Sequence, residues 1–343
     1  MSADEGASTT RGVVRSGAVQ ARRGRQWLLA LASSVVVIAL FEFAARSLVP
    51  ACGITPFRNS TVPGLSVELR PGFETLYKDQ RVSINSAGMR GPEVGPRDPA
   101  KPRIAVVGDS FAFGTGVDLD DTIAAQLERA LRSAGRGVEV LNFGVPGYCA
   151  LNIAAVVEHK ALEFEPDVVL YVFFANDTDE PPSYGPIPAD ARIDTLKLFP
   201  LRSAGLEAVR YGLKRVALSL GYSLVRRTSA TSRSDYETGG GARVREALAR
   251  MRKACDARGV EFRMALYPFP TRVDLNEFRP IDELAIADAA SLEIRALDLL
   301  EAFPGETNLS RYHVSIFDQH PDAAANEKVG KLLARWLSDA LDG

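Results

Sequence analysis

Residues 103–116 read RIAVVGDSFAFGTG, and the fold turns on how this stretch is taken. Ile104, Ala105, Val106 and Val107 form a short apolar run, which suits a strand buried on both faces of a parallel sheet. Gly108 permits a tight turn out of that strand, so Ser110 stands just past its carboxyl end. In open α/β sheets that edge is where ligands bind. A serine there is a nucleophile if a base and an oxyanion site converge on it. Taken alone, the stretch favours a plainer reading, a turn whose serine caps a helix. The rest of the chain has to overturn it.

Outward from this stretch, strand and helix patterns alternate. Asp121 or Thr122 caps a helix with Ile123, Leu127 and Leu131 on its apolar face, and Gly135 and Gly137 end it. Residues 138–143, VEVLNF, read as the second strand, followed by the loop Gly144-Val145-Pro146-Gly147-Tyr148 and a helix over 151–164. Residues 167–174, DVVLYVFF, are the most apolar strand, which predicts a central position, and they run into Ala175-Asn176-Asp177. Further on, Val244, Leu248, Met251 and Cys255 mark a helix, followed by a strand over 260–267, a helix over 281–292 and a strand near 294–297. The chain closes with Phe317-Asp318-Gln319-His320-Pro321 and a helix reaching Leu341. Such alternation predicts a parallel sheet with helices on both faces.

Residues 178–241 interrupt this rhythm as an insertion. Its first part is Pro-rich. Leu206, Val209, Leu213, Val216, Leu220 and Leu224 then mark one face of a helix, with Arg210, Lys214 and Arg215 off it. That stripe is expected to pack on its own domain, a membrane-surface role being the weaker reading. Residues 228–241, TSATSRSDYETGGG, read as a flexible linker.

The chain of 343 residues carries a net charge of −2, which gives no reason to expect nucleic acid as a partner. Residues 1–26 are polar and Arg-rich and are expected to be a disordered cytoplasmic tail. Residues 27–49 are apolar enough to span a bilayer, which needs about 20 such residues. Arg11, Arg15, Arg22, Arg23 and Arg25 precede that segment, so the N-terminus is expected in the cytoplasm and the remainder outside it. A cleaved signal peptide is the competing reading; the long apolar stretch and the lack of a clean small-x-small site favour an uncleaved anchor. Residues 50–100 are rich in Pro, Gly and Asn and read as an extended arm with a hairpin at Arg81-Val82-Ser83-Ile84-Asn85. Residues 101–343 form the α/β domain. Cys52, Cys149 and Cys255 match no metal spacing.

The polar candidates fall at one edge of the predicted sheet. Ser110 follows the first strand, Gly147 the second and Asn176 the third, while His320 precedes the last helix. Acyl transfer needs a nucleophile, a base and donors for an oxyanion. A serine hydroxyl, an imidazole, a glycine N–H and an asparagine amide supply those parts, and Asp318 can hold the imidazole in the right tautomer. His159 reads as a helix-surface residue, and His313 lies in no such motif.

Gly108-Asp109-Ser110, Asn142-Phe143-Gly144-Val145-Pro146-Gly147, Asn176-Asp177 and Asp318-Gln319-His320-Pro321 resemble, in order and rough spacing, the blocks of the SGNH (GDSL-type) hydrolase superfamily. The resemblance covers residues 101–341 apart from the insertion, and residues 82–93, VSINSAGMRGPE, with the apolar segment, are similar to a membrane-anchored branch. It implies a flavodoxin-like three-layer α/β/α domain, preceded here by one transmembrane helix. It also implies Ser110 as nucleophile, His320 as base, Asp318 as its orienting acid, and an oxyanion hole from the Ser110 N–H, Gly147 and Asn176. Two positions depart from the pattern. Ala175 stands where the family often has glycine, and the acid lies two residues before the histidine where three is commoner.

The expected activity is hydrolysis of an O-acyl ester, on a carbohydrate or lipid, outside the cytoplasm, with no cofactor and no metal. The same acyl-enzyme passing its acyl group to an envelope glycan is the first alternative, and a non-catalytic glycan-binding domain is the second.

Overall fold

Along the strand that leads to Ser110, side chains alternate between two cores. Ile104 and Val106 face one, Ala105 and Val107 the other, and all four are fully buried. Period-two alternation with apolar residues on both faces is what a strand covered by helices on each side requires. In the computed structural model of the protein, which describes residues 25–43, 54–78, 80–189, 236–268, 279–315 and 318–341, that covering is present.

The central sheet contains β5 (Arg103–Gly108), β6 (Glu139–Asn142), β7 (Val168–Phe173), β8 (Glu261–Leu266) and β9 (Arg295–Asp298), in the order β6-β5-β7-β8-β9 and parallel throughout. This is the 2-1-3-4-5 order of flavodoxin-like sheets, whose direction of winding reverses between the first and third strands. β7 lies at the middle, as its apolar sequence predicts. The connections between these parallel strands carry the helices to both faces of the sheet. α3 (Ile123–Ser133) and α7 (Ala323–Trp336) bury Leu127, Leu131, Val329 and Leu333 on one face. α4 (Ala150–His159), α5 (Gly241–Asp256) and α6 (Arg279–Ser291) bury Ile153, Val157, Val244, Met251 and Ile281 on the other. Thr122 caps α3 by accepting the Ala125 N–H.

Three expectations are revised. The arm is not a bare connector. β1 (Phe57–Asn59) pairs with β2 (Val67–Leu69), and β3 (Phe73–Tyr77) with β4 (Gln80–Ile84). Leu65, Val67, Leu69, Val82, Ile84 and Met89 join the same buried cluster as Val107 and Ile153. Tyr148 donates its hydroxyl to Val67 O at 2.5 Å, and Asn152 donates its amide to Gly64 O at 3.0 Å, fastening the arm to α4 and the loop before it. The end of the linker is also folded. Tyr236 is buried, its hydroxyl donates to Asp288 at 2.6 Å, and Gly241 already opens α5. Finally, the residues around His320 form a hairpin, β10 (His313–Ser315) with β11 (Asp318–Pro321), where no strand is read from the sequence.

The apolar N-terminal segment is a separate unit. Its described part is one helix, α1 (Arg25–Phe43), 19 residues of mean hydropathy 1.9. Residues 1–24 and 44–53, with Cys52, and residues 190–235, with the insertion's helical stripe, lie outside the described residues. Cys149 and Cys255 are buried free thiols.

Candidate active site

β5 ends where a side chain cannot go. A Cβ on Gly108 would stand 2.8 Å from both the Ala112 Cβ and the Val172 carbonyl oxygen, so only glycine lets the chain turn here against β7. Asp109 follows, fully buried, and its Oδ1 accepts the Phe111 N–H at 2.8 Å, capping the single turn α2 (Ser110–Phe113). The cap is therefore Asp109 and not Ser110. The loop after β6 closes on the same turn, because a Cβ on Gly144 would meet the Phe113 nitrogen at 2.2 Å. From the arm, the buried Arg90 donates to the carbonyls of Phe113, Gly114 and Val117 at 3.1, 2.5 and 2.6 Å. Burial lowers its guanidinium to about 10, against the raising influence of Asp118.

Ser110 Oγ lies 2.9 Å from His320 Nε2, and His320 Nδ1 lies 2.5 Å from Asp318 Oδ1. With a proton on Nδ1, donated to Asp318, Nε2 accepts the serine hydroxyl. The short spacing between acid and histidine works because Asp318 folds over its own backbone. Its Oδ1 also accepts the His320 N–H at 3.1 Å, while its own N–H donates to Ser315 Oγ at 3.1 Å across the β10–β11 hairpin. The second carboxylate oxygen, Oδ2, forms an ion pair with Lys78 Nζ at 2.7 Å. Burial would raise the Asp318 carboxyl. The hydrogen bond and charge of His320, together with the Lys78 ammonium, outweigh it and hold Asp318 well below the usual carboxylate range.

Asn176 sits in the turn after β7 and donates its amide to Asp109 Oδ2 at 3.1 Å. That oxygen is also 3.2 Å from Ser110 Oγ. Asp177 secures the turn from below, accepting the Phe174 N–H at 3.0 Å and the Tyr171 hydroxyl at 2.8 Å. Burial raises the Asp109 carboxyl, opposed by the Phe111 N–H, the Asn176 amide, the charge of His320 and the Ser110 hydroxyl. Burial also pushes Asp177 well up, with the charge of Asp109 adding to it. Phe111 stacks on Phe174 with centroids 4.0 Å apart and lies 5.3 Å from the His320 ring, giving the imidazole an aromatic floor.

The structure thus joins Ser110, His320, Asp318 and Asn176 in one hydrogen-bonded set. Gly147 stands exposed in the loop after β6 with φ +83°, and among the described residues no hydrogen bond ties it to that set. His159 is exposed at the end of α4, and His313 is buried in β10. Sequence reasoning missed two participants. Asp109 carries a readable signal, an acidic residue between a strand and a helical turn, which is an N-cap pattern. Lys78 carries none, since a lysine in a polar arm is unremarked by any periodicity or motif.

The chain is similar in fold to the lipase/acylhydrolase from Enterococcus faecalis, at 16% identity and a TM-score of 0.43, covering 70% of this chain and 97% of that one. It is also similar to a family 3 carbohydrate esterase of Clostridium thermocellum, at 13% identity and a TM-score of 0.41, covering 71% and 98%. No curated protein matches. The sequence profile described as the GDSL-like Lipase/Acylhydrolase family matches residues 106–328, a span that begins inside β5 and ends in α7. That span is more than half of the chain and includes Ser110, Asn176, Asp318 and His320. The chain belongs to the GDSL-like lipase/acylhydrolase family and is an SGNH-type serine hydrolase.

Proposed function

We propose that Ser110 is the nucleophile of an esterase that acts on O-acyl groups of a carbohydrate or lipid outside the cytoplasm, held to the membrane by its N-terminal helix. The observation that carries the chemistry is the unbroken line Ser110 Oγ to His320 Nε2, at 2.9 Å, and His320 Nδ1 to Asp318, at 2.5 Å. In this reading Ser110 Oγ attacks the ester carbonyl carbon and its proton passes to His320 Nε2. The resulting imidazolium is stabilised by Asp318. The oxyanion is met by the Ser110 N–H, which as the first helical residue has no intrahelical acceptor, by the Gly147 N–H and by the Asn176 amide. His320 returns the proton to the departing alkoxide as the ester C–O bond breaks, leaving an acyl-serine. Water, deprotonated by His320, attacks that ester, and the acid leaves as Ser110 regains its proton.

A second reading is supported by the start of the insertion. The Tyr184 hydroxyl stands 3.6 Å from where a Cβ on Gly147 would be, so the insertion reaches the loop that holds an oxyanion donor. A bound sugar hydroxyl lodged there would replace water as the acceptor, making the enzyme an O-acyltransferase. The test is a partition experiment. An acyl ester is supplied with and without candidate oligosaccharides, and free acid and acylated sugar are followed together. Free acid as the sole product supports hydrolysis; acylated sugar outrunning it supports transfer.

The membrane reading rests on α1, which is long and apolar enough to cross a bilayer, and on the arginines before it. A reporter active only outside the cytoplasm, fused after Gly343, is expected to be active, with the protein retained in the membrane fraction. A silent reporter whose cytoplasmic counterpart works at the same point would reverse the orientation. Release of a shortened soluble chain would identify a cleaved signal.

A further inference from the structure

Lys78 holds a backbone conformation that its turn requires and that a lysine does not favour. Tyr77 pairs with Gln80 across β3 and β4, so Lys78 opens a two-residue hairpin turn. Its φ is +51°, in the left-handed region, where glycine and asparagine are favoured and other side chains are disfavoured by about 1 kcal/mol. A lysine at an exposed hairpin tip ordinarily extends into water. This one is only 28% exposed at the side chain and directs its ammonium to Asp318 Oδ2 at 2.7 Å, across 240 residues of sequence. The hairpin is seated for that reach. Tyr77 packs edge-on against Phe113 of α2, with centroids 6.1 Å apart, and Val82 and Ile84 on β4 are buried in the domain core. The turn accounts for the positive φ, but not for a lysine at that position whose ammonium is applied to the acid behind His320.

We infer that Lys78 is a positioning residue for the acyl-transfer reaction, an inference that rests on the reading of Ser110, His320 and Asp318 as a catalytic set. Asp318 has two oxygens. Oδ1 receives both His320 donors, and the Lys78 ammonium holds Oδ2, so the carboxylate cannot rotate to offer its other face. The imidazole is thereby fixed with Nε2 toward Ser110. The arm, which lies outside the matched family region, thus supplies a part of the active site.

The test uses the full chain and the rate of covalent labelling by a fluorophosphonate, which reacts with an activated serine. Lys78→Asn removes the charge and relieves the turn. It is expected to slow labelling and esterase kcat about tenfold, with KM unchanged and the melting temperature equal to or above that of wild type. Lys78→Arg keeps the charge and is expected to label within about twofold of wild type. In an Asp318→Asn background, Lys78→Asn should cost nothing further, since Lys78 acts through that carboxylate. The low-field proton resonance of His320 Nδ1–H should shift or broaden in Lys78→Asn. Labelling of Lys78→Asn at the wild-type rate, or losses that multiply in the double variant, would overturn the inference. A wild-type protein that does not label at all speaks against Ser110 as nucleophile instead. The His320 resonance then decides on Lys78: a shift in Lys78→Asn supports the clamp, and an unmoved signal rejects it.

Discussion

Asn176 and Asp109 meet across the point where the sheet reverses its winding: the amide at the end of β7 donates to the carboxylate at the end of β5 at 3.1 Å. Open sheets leave a crevice at such a point, and here one hydrogen bond spans it. The same carboxylate caps α2, so Asp109 orients the helical turn that carries Ser110 and the amide proposed to meet the oxyanion. Replacing Asp109 with alanine removes both. Asp109→Ala is expected to lose about 1–2 kcal/mol of stability through the missing cap. Asn176→Ala is expected to keep the fold and to lose about 10²-fold or more in kcat, as removal of an oxyanion donor does. Urea denaturation and ester turnover on the two variants separate these effects. Equal stability loss in both would contradict the division of labour.

Arg90 is the corresponding tie from the arm. Its guanidinium serves three carbonyls around the end of α2 and is buried to 1% exposure. Arg90→Met leaves those acceptors in an apolar setting, and each unmet buried group costs about 1–3 kcal/mol. A loss of at least about 3 kcal/mol is expected in chemical denaturation, with the loop after Ser110 becoming protease-sensitive. A variant as stable as wild type would mean that Arg90 does not tie the arm to the turn that carries Ser110.

Asp282 gives a pH signature of stability. It is buried in α6, and burial, with repulsion from Asp298 and Glu283, raises its carboxyl to about 8, against the lowering influence of Arg279. An acid with a raised folded-state pKa binds its proton more tightly folded than unfolded. Its presence therefore lowers stability progressively as pH rises from about 4, the unfolded value, to about 8, and the effect is constant above that. Asp282→Asn keeps a neutral side chain throughout. The variant's stability relative to wild type is expected to climb over that window by as much as about 5 kcal/mol and then level off. Denaturant midpoints at intervals from about pH 4 to about 9 measure it. A difference that is flat with pH would contradict the assignment.

Much of this architecture is legible in the sequence for simple reasons. Val106, Leu170 and their neighbours are apolar on both faces, which only a covered parallel strand tolerates, and the most apolar strand does lie at the centre. Ser110, Asn176 and His320 follow strands or precede a helix, so alternation alone brings them to one edge. Other features depend on contacts distant in sequence. The arm is Pro- and Gly-rich because it turns often, and that composition conceals the buried Val67, Val82 and Ile84. The run of glycines at 239–241 suggests a flexible linker, yet a Cβ on Gly241 would strike the Tyr236 ring, so close packing requires that glycine. The two-residue spacing of Asp318 and His320 becomes workable only through an aspartate that accepts its neighbour's backbone N–H, a geometry no spacing rule displays.

In the proposed mechanism Ser110 is activated by His320, held in turn by Asp318. Groups that act as a unit lose function together, so their substitutions should not add. The most direct measurement is mass spectrometry of the full chain after incubation with a fluorophosphonate, with the modified peptide sequenced. A single phosphonylated residue, Ser110, is expected, with no modification in Ser110→Ala, a comparable loss in His320→Ala, no further loss when the two are combined, and residual labelling in Asp318→Asn. Phosphonylation of a different residue, or a Ser110→Ala protein that still hydrolyses a short-chain ester at the wild-type rate, would contradict it.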